Sequence, residues 1–108
     1  MKSRIILLCA TLSVSGFGQG YKPKSGYVPD SKTAVKIAEA VLIPVYGEKQ
    51  IESERPFVAH LKDDVWTVDG TLHCPDGKGG TTTVCLGGAA EVKIAKDDAR
   101  ILFMIHYK

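Results

Sequence analysis

The sequence has no apolar run long enough to cross a bilayer, and it lacks the common catalytic signatures. Its longest largely apolar run, from Ile5 to Val14, has ten residues, whereas a membrane-spanning helix needs about 20. No serine stands in a Gly-x-Ser-x-Gly turn, and the glycine-rich segment from Asp76 to Gly80 lacks the spacing of a phosphate-binding loop. With 108 residues and no internal repeat, the chain is expected to form one domain.

The first residues have the order of an export signal. Lys2 and Arg4 precede the apolar run, and the small residues of Ser15 to Gly18 end it. Signal peptidases recognise this order, so we predict a signal peptide over residues 1–18. The alternative of a buried N-terminal helix is less favoured. A lipid anchor on Cys9 is disfavoured because only four apolar residues separate that cysteine from Arg4.

There is little excess charge of either sign. The chain has 14 lysines and arginines and 12 aspartates and glutamates, and removal of Lys2 and Arg4 with the signal leaves 12 against 12. A formally neutral protein has no basic stripe with which to neutralise phosphates. Nucleic acid is therefore excluded as the expected partner, and after cleavage no stable membrane insertion is expected.

Cysteine is scarce, with three in the chain. Cys9 leaves with the signal, so that Cys74 and Cys85 remain as an even pair in an oxidising compartment and predict a disulfide. The bond would close a loop of 12 residues, which the chain-entropy model credits with roughly 3 kcal/mol. His73 beside Cys74 gives too few ligands for a metal site, and we predict neither a metal nor a cofactor.

The mature chain begins with an irregular segment and continues into a helix. Residues 19–30 contain Gly and Pro at four positions, which predicts an extended segment lying against the domain through Tyr21 and Tyr27. A cap at Asp30-Ser31 starts the main helix, which Pro44 and Gly47 should bend or shorten at its end. Its apolar face has helical spacing and consists of Ala34, Ile37, Ala38, Val41 and Leu42.

Two hairpins follow from alternating patterns. The first pairs residues 56–61 with residues 65–72 around a turn at Lys62-Asp63-Asp64. Its large residues share one face and are Phe57, Ala59, Leu61, Trp66, Val68 and Leu72. In the second, Val92 and Ile94 precede a turn at Asp97-Asp98, and residues 101–107 alternate after it. Residues 31–108 thus predict an α+β domain, with one main N-terminal helix packed on a curved antiparallel sheet of about four strands.

The order of several landmarks resembles a known family. The landmarks are Thr33 to Ala40, Val45-Tyr46-Gly47, Arg55-Pro56-Phe57, Val65-Trp66-x-Val68-x-Gly70-Thr71-Leu72 and Gly87-Gly88. Together they resemble the small immunity proteins of polymorphic toxin systems with a nuclear-transport-factor-two-like fold, over roughly residues 26–108. The chain departs from that pattern in an expanded loop from His73 to Leu86. It also has Asp97-Asp98-Ala99 where a turn containing glycine is typical.

The resemblance implies a protein that binds and neutralises a cognate toxin delivered by neighbouring or sister cells and that is not an enzyme. Because the chain is predicted to be exported, to the periplasm or beyond, the toxin is expected to act in the periplasm or on the cell envelope. Two alternatives stay open. One is another exported binding module, such as a lysozyme inhibitor, and the other is a small envelope hydrolase.

The candidate contact residues lie in loops. His60 and His106 fall in predicted strands, the aspartate pairs fall at predicted turns, and Trp66 is favoured as a core residue, so none of these suggests catalysis. A polar loop closed by a disulfide is exposed yet pre-ordered, which favours His73, Asp76, Lys78 and Thr82 as toxin contacts. The turn residues Asp97, Asp98 and Arg100 are the second choice. The alternative is that the loop is only a solvated connection.

Overall fold

A computed structural model describes residues 18–85 and 87–108. The predicted signal peptide, apart from Gly18, lies outside the described residues. The helices are α1 (Ser31–Tyr46) and α2 (Glu48–Ser53), and the strands are β1 (Val58–Lys62), β2 (Val65–Asp69), β3 (Cys74–Pro75), β4 (Thr81–Thr82), β5 (Ala90–Ala95) and β6 (Ile101–His106). An antiparallel sheet has the order β1-β2-β5-β6, and β3 pairs with β4 separately. The predicted α+β architecture, with one main helix and four sheet strands, is confirmed.

The main helix starts where its cap predicts and runs further than expected. The Asp30 carboxylate accepts a hydrogen bond of 2.8 Å from the Thr33 N–H, which satisfies one free donor of the first turn. Pro44 lies inside the helix, which continues to Tyr46. Gly47, at φ 94°, ends it and donates its N–H to the Ile43 carbonyl at 2.8 Å. Within residues 18–85 and 87–108, no helix is both long and apolar enough to cross a membrane.

The core lies between α1 and one face of the sheet. Small alanines on α1 allow the helix to approach the strands closely, and the indole N–H of Trp66 donates to the Val28 carbonyl at 2.8 Å. Trp66 is 7% exposed and is a core residue, as predicted. The other buried members of this layer are Ala34, Ala38, Leu42, Val68, Val92 and Ile94.

The first hairpin is shorter than its alternation predicted. Strand β1 begins at Val58 and β2 ends at Asp69, so that Leu72 lies in the following loop. Thr71 turns away from the sheet because its N–H donates to the Glu54 carbonyl at 2.7 Å and its hydroxyl to the Pro56 carbonyl at 2.6 Å. These bonds replace a longer ladder with β1. The expected turn is confirmed, with Asp63 and Asp64 both in the left-handed region.

A bulge interrupts the alternation expected along β6. Phe103 lies opposite Lys93, but Ile101 lies opposite Ile94, so that Leu102 is an extra residue on β6. Beyond the bulge, Met104 packs against the core. The side chains of Met104 and His106 therefore lie on the sheet face that packs against α1. Those of Phe103 and Ile105 lie on the opposite face.

The N-terminal segment contacts the domain, but not through its tyrosines. Tyr21 is 81% exposed and Tyr27 is 47% exposed, whereas Val28 is fully buried. The backbone N–H groups of Tyr27 and Val28 donate to the carbonyls of Asp97 and Lys96 at 2.9 and 3.0 Å. Backbone pairing with the turn between β5 and β6 therefore holds this segment, which a residue pattern does not reveal.

Candidate functional site

The loop after β2 forms a small hairpin closed by the predicted disulfide. Cys74 and Cys85 are joined with a Cα–Cα distance of 6.2 Å, and β3 pairs with β4 so that Cys74 lies opposite Thr82. We call residues 73–85 the stapled hairpin. Its ribbon lies outside the main sheet, and residues 75–81 at its tip are exposed.

His73 anchors the base of the stapled hairpin. Its Nε2 lies 2.7 Å from the Arg55 carbonyl oxygen. Arg55 is itself fixed, because its guanidinium donates two hydrogen bonds, of 2.9 and 2.7 Å, to one carboxylate oxygen of Glu39 on α1. Although His73 is exposed, the bond assigns its ring an anchoring role within the domain.

Asp76 and Thr82 shape the hairpin from within. One carboxylate oxygen of Asp76 accepts the N–H groups of Lys78 and Gly80 at 2.7 and 3.1 Å, and these bonds lower the pKa of Asp76. The Thr82 hydroxyl accepts the Val84 N–H at 3.1 Å. Substitution of either side chain would thus change the loop's conformation as well as any contact it makes.

Lys78 and Val84 are two of the exposed side chains of the hairpin. Lys78 is exposed, and among the described residues it has no side-chain ion pair. Val84 is 87% exposed, more than any other large hydrophobic side chain in the described part of the chain. Sequence reasoning identified Lys78 but missed Val84, because nothing in a run of threonines before a cysteine indicates which side chain points outward.

The second group of candidates lies in the turn after β5, where each of the three side chains has a partner within the domain. The Asp97 carboxylate accepts a hydrogen bond of 2.6 Å from the Lys22 ammonium. Asp98 accepts both the backbone N–H and the guanidinium of Arg100, at 3.0 and 2.7 Å. These residues hold the turn and the N-terminal segment together, and all three remain exposed.

The structure does not bring the two candidate groups together. The stapled hairpin leads into β5 at Ala90, and the turn follows β5 after Ala95. A strand of six residues spans roughly 17 Å. The two groups therefore lie at opposite ends of the sheet and must be tested separately.

A charged patch on the sheet face away from α1 was not predicted. Asp69 lies opposite Glu91, and Thr67 lies opposite Lys93. The Lys93 ammonium donates to the Thr67 hydroxyl at 3.1 Å and lies 3.7 Å from the Glu91 carboxylate. Burial, and then the neighbouring Glu91 carboxyl, raise the pKa of Asp69 to about 6. Alternation places each residue on this face, but only the strand register shows that they are neighbours.

A buried carboxylate fixes the end of the sheet near the hairpin. Glu54 is 2% exposed and accepts hydrogen bonds of 2.7 Å from Gln50, His106 and the Ala90 N–H. Burial raises the pKa of Glu54, but the three hydrogen bonds outweigh it, and the pKa lies below its usual value. His106 thus has a structural role, as predicted, while His60 is exposed on β1.

A shallow groove of about 410 Å³ separates the start of α1 from β1. Apolar side chains, among them Val35 and Val58, line its floor, and Lys32 and Lys36 stand on its rim. In residues 18–85 and 87–108, no cluster of three or more His, Cys, Asp or Glu side chains is arranged to hold a metal ion.

Comparison with known proteins identifies related chains. A family model described as "NTF2 fold immunity protein" matches residues 33–108. The "Uncharacterized protein YhhH" of Escherichia coli (strain K12) is 30% identical over 81 residues, which cover 75% of this chain and 58% of that protein. The chain thus spans less than two thirds of this relative's length. No solved structure matches significantly.

Proposed function

The chain belongs to the NTF2-fold immunity protein family, and from this membership we propose that it binds and neutralises a cognate antibacterial toxin without catalysing a reaction. The family match covers α1 from Thr33 onward, α2 and all strands of the described structure, including the stapled hairpin. The groups that might suggest catalysis have other partners, since His73 and His106 are bonded within the domain. These bonds give both rings structural roles.

We further propose that the protein is exported and meets its toxin in the periplasm or on the cell envelope. Two independent features support this location. Residues 1–18 have the order of a signal peptide, and the Cys74–Cys85 disulfide is of a kind that persists in oxidising compartments and is rare in the cytosol. A toxin that acts only inside the cytosol would not be intercepted there.

The stapled hairpin is the contact surface that the geometry supports best. The disulfide and the hydrogen bonds to Asp76 order the hairpin before binding, which reduces the entropy lost when a partner closes around it. Val84 then offers an apolar side chain that is almost fully exposed, and Lys78 offers a charge near the tip. Asp97, Asp98 and Arg100 form a second choice, because Asp97 is paired with Lys22 and Asp98 with Arg100.

Protection of cells tests this proposal directly. The protein is co-expressed with the toxin encoded by the adjacent gene, and survival is compared for the unmodified chain, Lys78→Glu and Lys49→Glu. Lys49 is a matched control because it is exposed and lies in the first turn of α2, where a glutamate is tolerated. We expect Lys78→Glu to weaken protection and Lys49→Glu to leave it intact.

The two parts of the proposal fail in different ways. Full protection by Lys78→Glu would count against the hairpin as the contact surface. If the unmodified chain neither binds the adjacent gene product nor protects cells from it, the proposed function itself is wrong.

A further inference from the structure

Strand β6 forms an open edge of the sheet that is apolar and uncharged. It is the last strand in the order β1-β2-β5-β6, and its first five residues, Ile-Leu-Phe-Met-Ile, include no polar side chain. Ile101, Leu102 and Phe103 are 37%, 43% and 41% exposed. Contiguous exposed apolar residues of this kind commonly mark an interaction surface.

The backbone of this edge is available for pairing. Tyr107 donates its N–H to the Ala89 carbonyl, so in an antiparallel ladder every second residue before it, Ile105 and Phe103, also points its backbone at β5. Met104 and His106 therefore point their N–H and C=O groups away from the sheet. No described residue pairs with this side of β6.

The other edge strand of the sheet, β1, has charged side chains that hinder pairing with another chain, and residues 101–105 of β6 have none. Strand β1 also has an exposed leucine, Leu61 at 45%, but it includes His60 and Lys62, and Lys32 and Lys36 stand beside it. Charged side chains, lysine above all, are the usual means of keeping an edge strand from pairing with another chain. Residues 101–105 of β6 include no charged side chain of this kind.

We propose that β6 pairs antiparallel with β6 of a second copy of this chain. Met104 then lies on the two-fold axis, because its backbone groups face outward and can bond to the same groups of the second copy. In that register Phe103 lies beside Ile105 of the second copy, so that apolar side chains meet. A twofold contact of this kind requires a self-complementary surface.

Charge favours a second copy as the occupant. Two lysine-bearing β1 edges would bring like charges together, whereas residues 101–105 of β6 carry no charge. A second copy is also present wherever the chain is made, so the apolar edge need not stay exposed before a toxin arrives. This inference does not depend on the toxin or on the stapled hairpin.

Sedimentation velocity of the protein purified from cells expressing the whole gene tests the dimer. We expect a concentration-dependent monomer–dimer equilibrium between about 1 and 100 µM, because a single pair of strands makes a small interface, and small interfaces are weak. Leu102→Lys should weaken dimerisation at least tenfold. Leu61→Lys is the matched control, because both leucines are on edge strands with nearly equal exposure, 43% and 45%, and it should leave the equilibrium unchanged.

Hydrogen exchange gives a second readout that does not rely on substitution. The outward amides of Met104 and His106 should exchange more slowly at concentrations where the dimer forms than at concentrations where it does not. A protein that stays monomeric throughout the range overturns the proposal, and so does equal weakening by both variants. A monomer in which Leu102→Lys abolishes protection from the toxin would also overturn it, because the edge would then belong to the toxin.

Discussion

The carboxylate of Glu54 joins three parts of the chain that are distant in sequence. It accepts hydrogen bonds from Gln50 on α2, from His106 at the end of β6 and from the backbone of Ala90 at the start of β5. Because the carboxylate and Ala90 are buried, loss of an acceptor leaves the Ala90 N–H, or the partly buried His106 ring, without its partner. The cost of such a loss is about 1–3 kcal/mol for each unpaired group.

Glu54→Gln should therefore lower the free energy of unfolding by about 2–3 kcal/mol. The glutamine amide would retain one acceptor oxygen. Its NH₂ group would replace the other and would face a hydrogen-bond donor. Urea denaturation measures the effect. Glu52→Gln, at an exposed position of α2 two residues before Glu54, should change stability by less than about 0.5 kcal/mol. Equal effects of the two substitutions would contradict the assigned role of Glu54.

Asp69 should make the protein less stable as the pH rises from about 4 to 6. Its pKa is raised to about 6 in the folded state, against about 3.9 in an unfolded chain, so the folded state binds the proton more tightly. The stabilising contribution is complete below pH 3.9 and is lost as the pH rises through 6. Asp69→Asn should remove this loss and be the more stable protein at pH 7.

Thermal unfolding of both proteins from pH 4 to 7 checks this prediction. The difference in stability between Asp69→Asn and the unmodified chain should grow in favour of the variant across that range. Parallel pH profiles would show that the carboxyl of Asp69 has an ordinary affinity for protons in the folded protein.

Some residue roles could be predicted from sequence and others could not. The cap at Asp30 and the buried Trp66 follow from local patterns. Glu54 lies in a charged segment from Glu48 to Arg55, and nothing local distinguishes it from its exposed neighbours, because its partners Ala90 and His106 are 36 and 52 residues away.

At the scale of elements, the first hairpin has a strained turn that can be improved. Asp63 and Asp64 have φ values of 50° and 60°, a conformation that suits Asn-Gly in a two-residue turn far better than two aspartates. The double substitution Asp63→Asn and Asp64→Gly should stabilise the protein by about 1 kcal/mol. The bond from the Lys96 N–H to the carbonyl at position 64 involves backbone only and is retained.

Thermal and urea unfolding measure this gain. A control at a position with ordinary backbone geometry, Lys62→Asn, should not stabilise. If the double variant is no more stable than the unmodified chain, the strain assigned to this turn is absent.

Periodicity predicted the elements that bury a regular face. The apolar spacing of α1 and the alternation in both hairpins depend on each segment's own sequence, and they located five of the main elements. The short helix α2, which buries only Ile51, and the bulge at Leu102 depend on what neighbouring segments require. The local sequence of a segment does not show how its neighbours pack, and neither feature was predicted.

At the scale of the whole molecule, export is the prediction most easily checked. The intact mass of protein recovered from the periplasm or the medium should correspond to a chain beginning near Gln19, because the basic, apolar and small residues before it are in the order required for cleavage. A recovered chain that retains Met1, or that begins at a lipid-modified Cys9, would contradict this prediction.

The sequence indicated the family, the architecture and the disulfide, but the contact surface required the structure. Among the candidates named from sequence, His73, Asp76, Asp98 and Arg100 are engaged within the domain. Only the three-dimensional arrangement identified Val84 as the outward apolar side chain and separated the two candidate groups.

Isothermal titration of the purified toxin with the unmodified protein and with Val84→Asp tests the central claim most directly. Val45→Asp is the control, since Val45 is also an exposed valine, at 60%, but lies on α1. If the stapled hairpin enters the toxin, Val84→Asp should weaken binding by about tenfold or more, as expected for a central apolar contact, with the melting temperature unchanged. Binding by Val84→Asp as tight as that of the unmodified chain and of Val45→Asp would show that the toxin is recognised elsewhere.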